Sequence, residues 1–599
     1  MTKMYPARRS STLGPFLLLA VLAAGFPLHA QVTVDSNPHY LDFQGAVTPL
    51  IGMSGEYLPH VTRPGKSGSL CTWETYLSCL NNLAANGLNK TQVWLSVDSS
   101  AGQLDCNTVN AHNPGATMAV PYDFEQPFFW NGGTWRLDRY EPTFWSRLNQ
   151  VIADAAAPSR NIVVEVTLFA PGGNTGLQSS PWNPSHNIVR NPGPGCGGSA
   201  GFTSDKYLTS FDNNTLTGSD SQVANQCARA QQLALVTYAA QQLNANTNFY
   251  WQLANEPDTT SDPVALINWY NKIAQTIAAV EGTSTYPNTH RMAIDVTNFN
   301  VMDHVSQNNP ALDSHINIVN GHYVDTALPL LKTYFFNKPF AFGFNEGRST
   351  VCPTLVGSRA ESWEFMMNEA ATYDNYNLNW SDNNTASIQG WLKNLKSFLS
   401  PLSLSTMSGP QTGPTLGWAS GLPSQGTPDG TGTNFYWAAM REVRNQYILY
   451  MHHSTIPTNC VSKDFRYAPP ATCPVPGAPN GFQSSMSLSL GSVAGHFKAD
   501  WVFPSSGAVA CSQDLNWVPN SPIPVTSPRY RYDLALRITR CSGSGACAPV
   551  TDCSVTAADG CPPADPLQGG SCTCPASPPP SCPTPHQPSS CPYGNPPCQ

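Results

Sequence analysis

The stretch Phe249-Tyr-Trp-Gln-Leu-Ala-Asn-Glu-Pro-Asp258 opens as an apolar, aromatic run and closes on an amide and two acids. A short run of this kind reads as a strand buried on both faces, with polar groups just past its C-terminal end. Seven further runs share the texture: 48–54, 91–97, 162–169, 292–297, 316–322, 340–345 and 373–379. Helical patterns lie between them, clearest over 72–86, 142–156, 222–246, 263–281, 327–336, 358–371 and 386–399, and weakest over 301–312. Eight strands alternating with eight helices predict an α/β fold of the (β/α)8 (TIM) barrel type. A doubly wound open sheet is the rival, but no Gly-rich dinucleotide fingerprint follows the first strand.

The seventh run, Lys338-Pro-Phe-Ala-Phe-Gly-Phe-Asn-Glu-Gly347, ends as the fourth does, on Asn-Glu. Glu256 and Glu346 thus follow strands four and seven. Their separation of about 90 residues is close to three βα units of roughly 30 each. Barrel active sites lie at the C-terminal rim of the strands, which these two approach from different sides. Two carboxylates across such a mouth suit glycosidic cleavage, one protonating the leaving oxygen while the other attacks the anomeric carbon or activates water. Either glutamate alone could be a loop acid capping a helix or pairing with an arginine. The pair, each after an apolar strand and each preceded by Asn, points to chemistry.

Composition narrows the alternatives. Of 599 residues only 11% are charged, and 30 Lys+Arg against 38 Asp+Glu leave a net charge of −8. A nucleic-acid binder needs a basic face, so that class is excluded. Lys3, Arg8 and Arg9 precede an apolar run over 16–28 that ends at Leu-His-Ala30, the pattern of a secretory signal peptide over 1–30. The run is too short to span a bilayer. Export to a secreted, periplasmic or cell-surface location makes disulfides the expected use of the 18 cysteines. Nine of these are scattered, with Cys460 and Cys473 the best guess at a bridge, and nine crowd into 541–599. No metal-ligand spacing and no His-Glu-x-x-His accompany them.

The expected organisation is a catalytic barrel over 31–407, then a Gly/Pro/Thr-rich linker or loop over 408–434. A small antiparallel β-sandwich follows over 435–540, with short strands at 446–452, 485–490, 497–502 and 533–539. The Cys/Pro-rich tail, 541–599, contains neither Lys nor Arg and cannot build an apolar core.

Asn255-Glu256-Pro257 after an apolar strand resembles the acid/base motif of clan A, the cellulase-like retaining glycoside hydrolases, and 338–347 resembles that clan's nucleophile strand. The resemblance implies Glu256 as general acid/base, Glu346 as nucleophile and Asn255 as the ligand of the sugar 2-hydroxyl. Within the clan the chain looks most like barrels followed by a C-terminal β-domain often labelled collagen-binding. Gly495-His-Phe-Lys-Ala-Asp-Trp-Val-Phe-Pro-Ser-Ser-Gly507 and Ser527-Pro-Arg-Tyr-Arg-Tyr-Asp-Leu-Ala-Leu536 carry that likeness. It spans roughly 35–540. Where cellulase-like members often have His-x-Tyr after strand six, this chain has His322-Tyr323, and Trp94-Leu-Ser-Val-Asp98 stands where an Arg would end strand two. His322, Tyr323, Trp380 and Trp94 are the substrate-binding candidates, the aromatic ones by stacking on sugar faces. Asp98, Asp258 and Asp295 read as structural.

The reading is therefore a secreted, monomeric enzyme acting on a poly- or oligosaccharide, with no cofactor, metal, nucleic-acid partner or membrane span. The competing reading is a carbohydrate- or matrix-binding surface protein that has lost activity.

Overall fold

The computed structural model describes residues 31–55, 58–60, 75–96, 125–170, 181–182, 187–188, 220–255, 257, 263–296, 304–305, 307, 311–321, 341–344, 355–375, 383–408, 416–424, 426–428, 433–442, 445–454, 481–542 and 547. The expected signal peptide, helix 327–336, the Cys460–Cys473 bridge and nearly all of the Cys/Pro tail lie outside them.

The chain enters through three short antiparallel strands, β1 (Thr33–Val34), β2 (Leu41–Phe43) and β3 (Ala46–Val47). Val32, Leu41 and Phe43 pack with Leu50, Val163, Tyr250, Ala293, Ile318 and Ala341 at the N-terminal ends of the barrel strands and close its floor. Barrel strands β4 (Leu50–Met53) and β5 (Lys90–Trp94) follow, joined through helix α1 (Thr75–Ala85). A hairpin of β6 (Phe128–Trp130) and β7 (Trp135–Tyr140) is inserted before α2 (Pro142–Ala155) and β8 (Val163–Thr167). The two-residue β9 (Asn187–Ile188) pairs with β7.

Helix α3 (Asp220–Leu243) leads to β10 (Phe249–Gln252), and α4 (Pro263–Val280) to β11 (Met292–Val296). Then come β12 (Ile316–Gly321), β13 (Ala341–Phe344), α5 (Leu355–Met366), β14 (Thr372–Asn375) and α6 (Asn383–Leu399). The strands close into a parallel barrel in the order β4-β5-β8-β10-β11-β12-β13-β14, with β14 returning to β4. All eight predicted barrel strands are present, each shorter than its apolar run by one to three residues.

Strand parity determines what each residue meets. Ile51, Met53, Val93, Leu95, Val164, Val166, Phe249, Trp251, Ile294 and Val319 face outward into the helix layer as one apolar core. On the opposite parity, Lys90, Gln92, Glu165, Gln252, Asp295, Asn320 and Asp374 are buried inside the barrel.

Beyond α6 the chain forms two antiparallel sheets. One joins β15 (Ala419–Ser420), β19 (Ser485–Leu488) and β22 (Ile523–Thr526). The other runs β16 (Thr427–Pro428), β17 (Asn434–Glu442), β18 (Gln446–Ser454), β23 (Asp533–Arg540), β20 (Gly495–Val502) and β21 (Val509–Trp517). Trp437, Leu449, Trp501, Leu515, Leu536 and Ile538 fill the space between the sheets together with Leu416 and Trp418, which belong to the Gly/Pro/Thr-rich stretch. The opposite face of the larger sheet, with Ala438, Met440, Ile448 and Tyr450, joins the barrel's own core. There Arg359 of α5 forms a bidentate pair with Asp533 at 2.9 and 2.8 Å, and His452 Nε2 lies 3.0 Å from Glu364 Oε2. The larger sheet is thus covered on both faces. Nearby, Cys541 and Cys547 form a disulfide.

Candidate active site

The barrel interior is polar from just above its floor to just below its rim. In the lower tier Lys90 Nζ lies 2.6 Å from Glu165 Oε2 and 3.0 Å from Asp374 Oδ2, and all three side chains are fully buried. Tyr250 donates its hydroxyl to Glu165 Oε2 at 2.7 Å, and Asn320 Nδ2 donates to Glu165 Oε1 at 2.6 Å across the barrel. Burial pulls the Lys90 pKa down, but the carboxylates of Asp374 and Glu165 more than offset it and the net shift is upward. Gly343, on β13, faces this tier: a Cβ there would fall 1.9 Å from Asn320 Oδ1, so a side chain would displace the network.

The upper tier is a chain of amides and hydroxyls. Ser54 Oγ donates to Gln92 Oε1 at 3.0 Å, and Gln92 Nε2 donates to Thr167 Oγ1 at 3.0 Å. Gln92 Nε2 and Thr167 Oγ1 both donate to Gln252 Oε1, and Gln252 Nε2 reaches Asp295 Oδ2 at 3.4 Å. Asp295, read from the sequence as structural, is fully buried here.

Above this tier the strands open onto the rim. Asn255, three residues beyond Gln252, is 2% exposed, and its N–H donates to the Phe169 carbonyl at 2.8 Å. Its Oδ1 is buried and accepts no hydrogen bond among the described residues. Such a group costs free energy unless something else supplies a donor. Trp94, at the end of β5, is 7% exposed and packs on Ala170, so most of its surface is in contact with protein. Its carbonyl lies 2.9 Å from His60 Nε2, while His60 Nδ1 lies 2.9 Å from the Glu125 carbonyl. His60 therefore ties three segments of the rim together; burial pulls its pKa down to about 4 against the upward pull of both carbonyls.

Glu256, Glu346, His322, Tyr323 and Trp380 lie outside the described residues, as do Asp98 and Asp258. The strands that lead to the two glutamates are described: β10 ends four residues before Glu256 and β13 two residues before Glu346. Both belong to one parallel barrel and so run out toward the same rim. Sequence reasoning missed His60 and the inward-facing Lys90, Glu165 and Asp374. Alternation within Lys90-Thr-Gln-Val-Trp94 and Val163-Val-Glu-Val-Thr167 could have found the inward residues; nothing local marks His60.

No protein-family model matches the chain, and no curated protein matches it in sequence. Among solved structures it is similar to one described as a glycoside hydrolase, with a TM-score of 0.51 and 13% identity, covering 86% of this chain and 98% of that one. It is also similar to a glycoside hydrolase family 5 protein from Bacteroides vulgatus (TM-score 0.49, 11% identity, covering 86% and 93%). A third is a glycoside hydrolase family 5 mannosidase from Rhizomucor miehei (TM-score 0.39, 11% identity, covering 63% and 99%). At this identity the first likeness is one of fold: the chain has the fold of a glycoside hydrolase. Among the described residues no helix is long and apolar enough to cross a membrane.

Proposed function

We propose that the protein is an exported retaining glycoside hydrolase acting on a poly- or oligosaccharide. Glu256 protonates the leaving oxygen while Glu346 attacks the anomeric carbon, giving a glycosyl ester. Glu256 then takes a proton from water, which attacks and releases the sugar with its original anomeric configuration. This chemistry needs no metal or organic cofactor. The observation that carries the reading is the pairing of two Asn-Glu sequences with the fourth and seventh strands of a closed parallel barrel, whose other ends are sealed. The buried Asn255 Oδ1, which accepts no hydrogen bond among the described residues, supports it, because a sugar hydroxyl is a donor of the right kind for that place. His322 and Tyr323, which follow the sixth strand in sequence, and Trp380, which follows the eighth, are the proposed substrate contacts. Trp94 offers at most an edge, given its burial.

The test uses a panel of aryl glycosides and polysaccharides with anomer analysis of the products. Glu346→Gln abolishes turnover while leaving the circular dichroism spectrum and melting temperature unchanged. Glu256→Gln lowers kcat by about 10²–10⁴-fold on natural linkages, and much less on aryl glycosides whose leaving group needs no proton. Hydrolysis retained by Glu346→Gln sinks the assignment, and products of inverted configuration sink the double displacement. A wild-type protein that binds glycans and cleaves none of the panel makes the inactive binding protein the better reading.

A further inference from the structure

Beneath the rim, Gln252 is the residue through which the upper tier of the barrel holds the fourth strand. Asp295 Oδ2 accepts from the Gln252 amide nitrogen, which leaves the amide oxygen for Gln92 Nε2 and Thr167 Oγ1. Every donor then points one way, from Ser54 on the first strand's end through Gln92 and Gln252 to Asp295 on the fifth. Gln92, Thr167, Gln252 and Asp295 are all fully buried. Each bond lies inside the barrel and, Gln92–Gln252 apart, joins neighbouring strands, so the chain ties the strand ends to one another in sequence below the rim. Gln252 is also the last residue of β10 before the backbone leaves the barrel for Leu253, Ala254 and Asn255. A shift of about 1 Å in a catalytic group can cost on the order of 10²-fold in rate.

We propose that Gln252 is a positioning residue, whose amide locks the end of the fourth strand so that Asn255 and Glu256 meet the substrate in register. This rests on the hydrolase reading above. It assigns a role to a residue that touches neither the sugar nor the reacting atoms.

The experiment measures kcat and KM on the best aryl glycoside from pH 4.5 to 8 for wild type, Gln252→Glu, Gln252→Met and Gln252→Glu with Asp295→Asn. Ionised, a glutamate at 252 sets a carboxylate against Asp295; protonated, it regains both the acceptor and the donor of the amide. Gln252→Glu therefore loses about ten- to a hundredfold in kcat at neutral pH, with KM within about twofold, and recovers relative to wild type as the pH falls. The double variant recovers at neutral pH, because the amide that replaces the Asp295 carboxylate donates to the new acid at position 252. Gln252→Met shows the same kcat loss with no acid recovery, and serves alone if Gln252→Glu does not fold.

Wild-type kcat in Gln252→Met, or a Gln252→Glu loss independent of pH and unrelieved by Asp295→Asn, overturns the positioning role. If wild type is active and Glu346-dependent while this happens, only the positioning role falls. An inert wild type takes both down.

Discussion

The barrel and the sandwich enclose their interiors with the same kind of element and fill them oppositely. Inside the barrel lie an ion triad, two glutamines, a threonine, an asparagine and an aspartate, all inaccessible to water. Inside the sandwich lie Trp437, Trp501, Leu449, Leu536 and Ile538, a conventional apolar filling. The barrel can carry a polar interior because its stability comes from the other face of each strand, where Val, Ile, Phe and Trp meet the helices. Among the described residues the sandwich strands have no helix layer of their own. Their larger sheet borrows one from the barrel through Met440, Ile448 and Tyr450. Polarity inside the barrel therefore serves alignment rather than cohesion, and apolarity inside the sandwich serves cohesion. The two interiors should fail in different ways.

The largest expected effect is at the ion triad. Lys90→Met nearly preserves volume but leaves Glu165 and Asp374 buried without their cation, which costs about 3–5 kcal/mol. Urea denaturation of the variant should show a correspondingly lower midpoint with an unchanged slope. Adding Asp374→Asn, which removes one stranded charge, should recover part of the loss. A Lys90→Met midpoint within experimental error of wild type would show that the interior is not sealed and would undo the contrast.

How much of this was legible beforehand follows from the same contrast. The barrel's outer residues dominate runs such as Val163-Val-Glu-Val-Thr167, so the runs read as apolar strands and the eightfold alternation was recoverable. The inward residues were invisible as a set, because their meaning lies in contacts between positions as distant as Lys90 and Asp374. The antiparallel sheets were half legible: β18, β19, β20 and β23 stood out, while β17 and β21 did not. In β21 the polar residues Ser512, Gln513 and Asp514 sit together in sequence and hide the alternation of the strand. Of the candidate site, Asn255-Glu256 and Asn345-Glu346 were readable because a motif is local. His60 was not, since its role depends on Trp94 and Glu125, neither of them its sequence neighbour.

His60 gives the next effect, and one that depends on pH. Its two ring nitrogens face backbone carbonyls, yet a neutral imidazole can donate to only one at a time. Its folded pKa of about 4 lies below its ordinary value of 6.5, so the fold favours the neutral form. This stabilisation is fully present above about pH 6.5 and is lost as the pH falls through 4, a swing of up to roughly 3 kcal/mol. Comparing wild type with His60→Asn cancels the carboxylates that titrate in the same window. The stability gap between them should be wide at pH 7.5 and should shrink or reverse at pH 4.5. An equal gap at both values would mean that His60 keeps no depressed pKa in the folded rim.

The smallest pair of effects tests the contrast most directly. Thr167→Val keeps volume and changes atom type. It removes a donor to Gln252 Oε1 and an acceptor for Gln92 Nε2, and it should cost about 1–3 kcal/mol because both partners stay buried. Ile538→Val keeps atom type and changes volume. It deletes one methylene from the sandwich core and should cost about 1 kcal/mol. The reciprocal changes carry the argument. Removing a methyl by Thr167→Ser should be tolerated better than Thr167→Val, since the hydroxyl is what the barrel uses. In the sandwich, Ile538→Thr should be worse than Ile538→Val, since it removes similar volume and also buries a hydroxyl with no assigned partner. If the barrel ranks Ser below Val at position 167, its interior is held by packing after all, and the polar tiers are passengers of the fold rather than its alignment device.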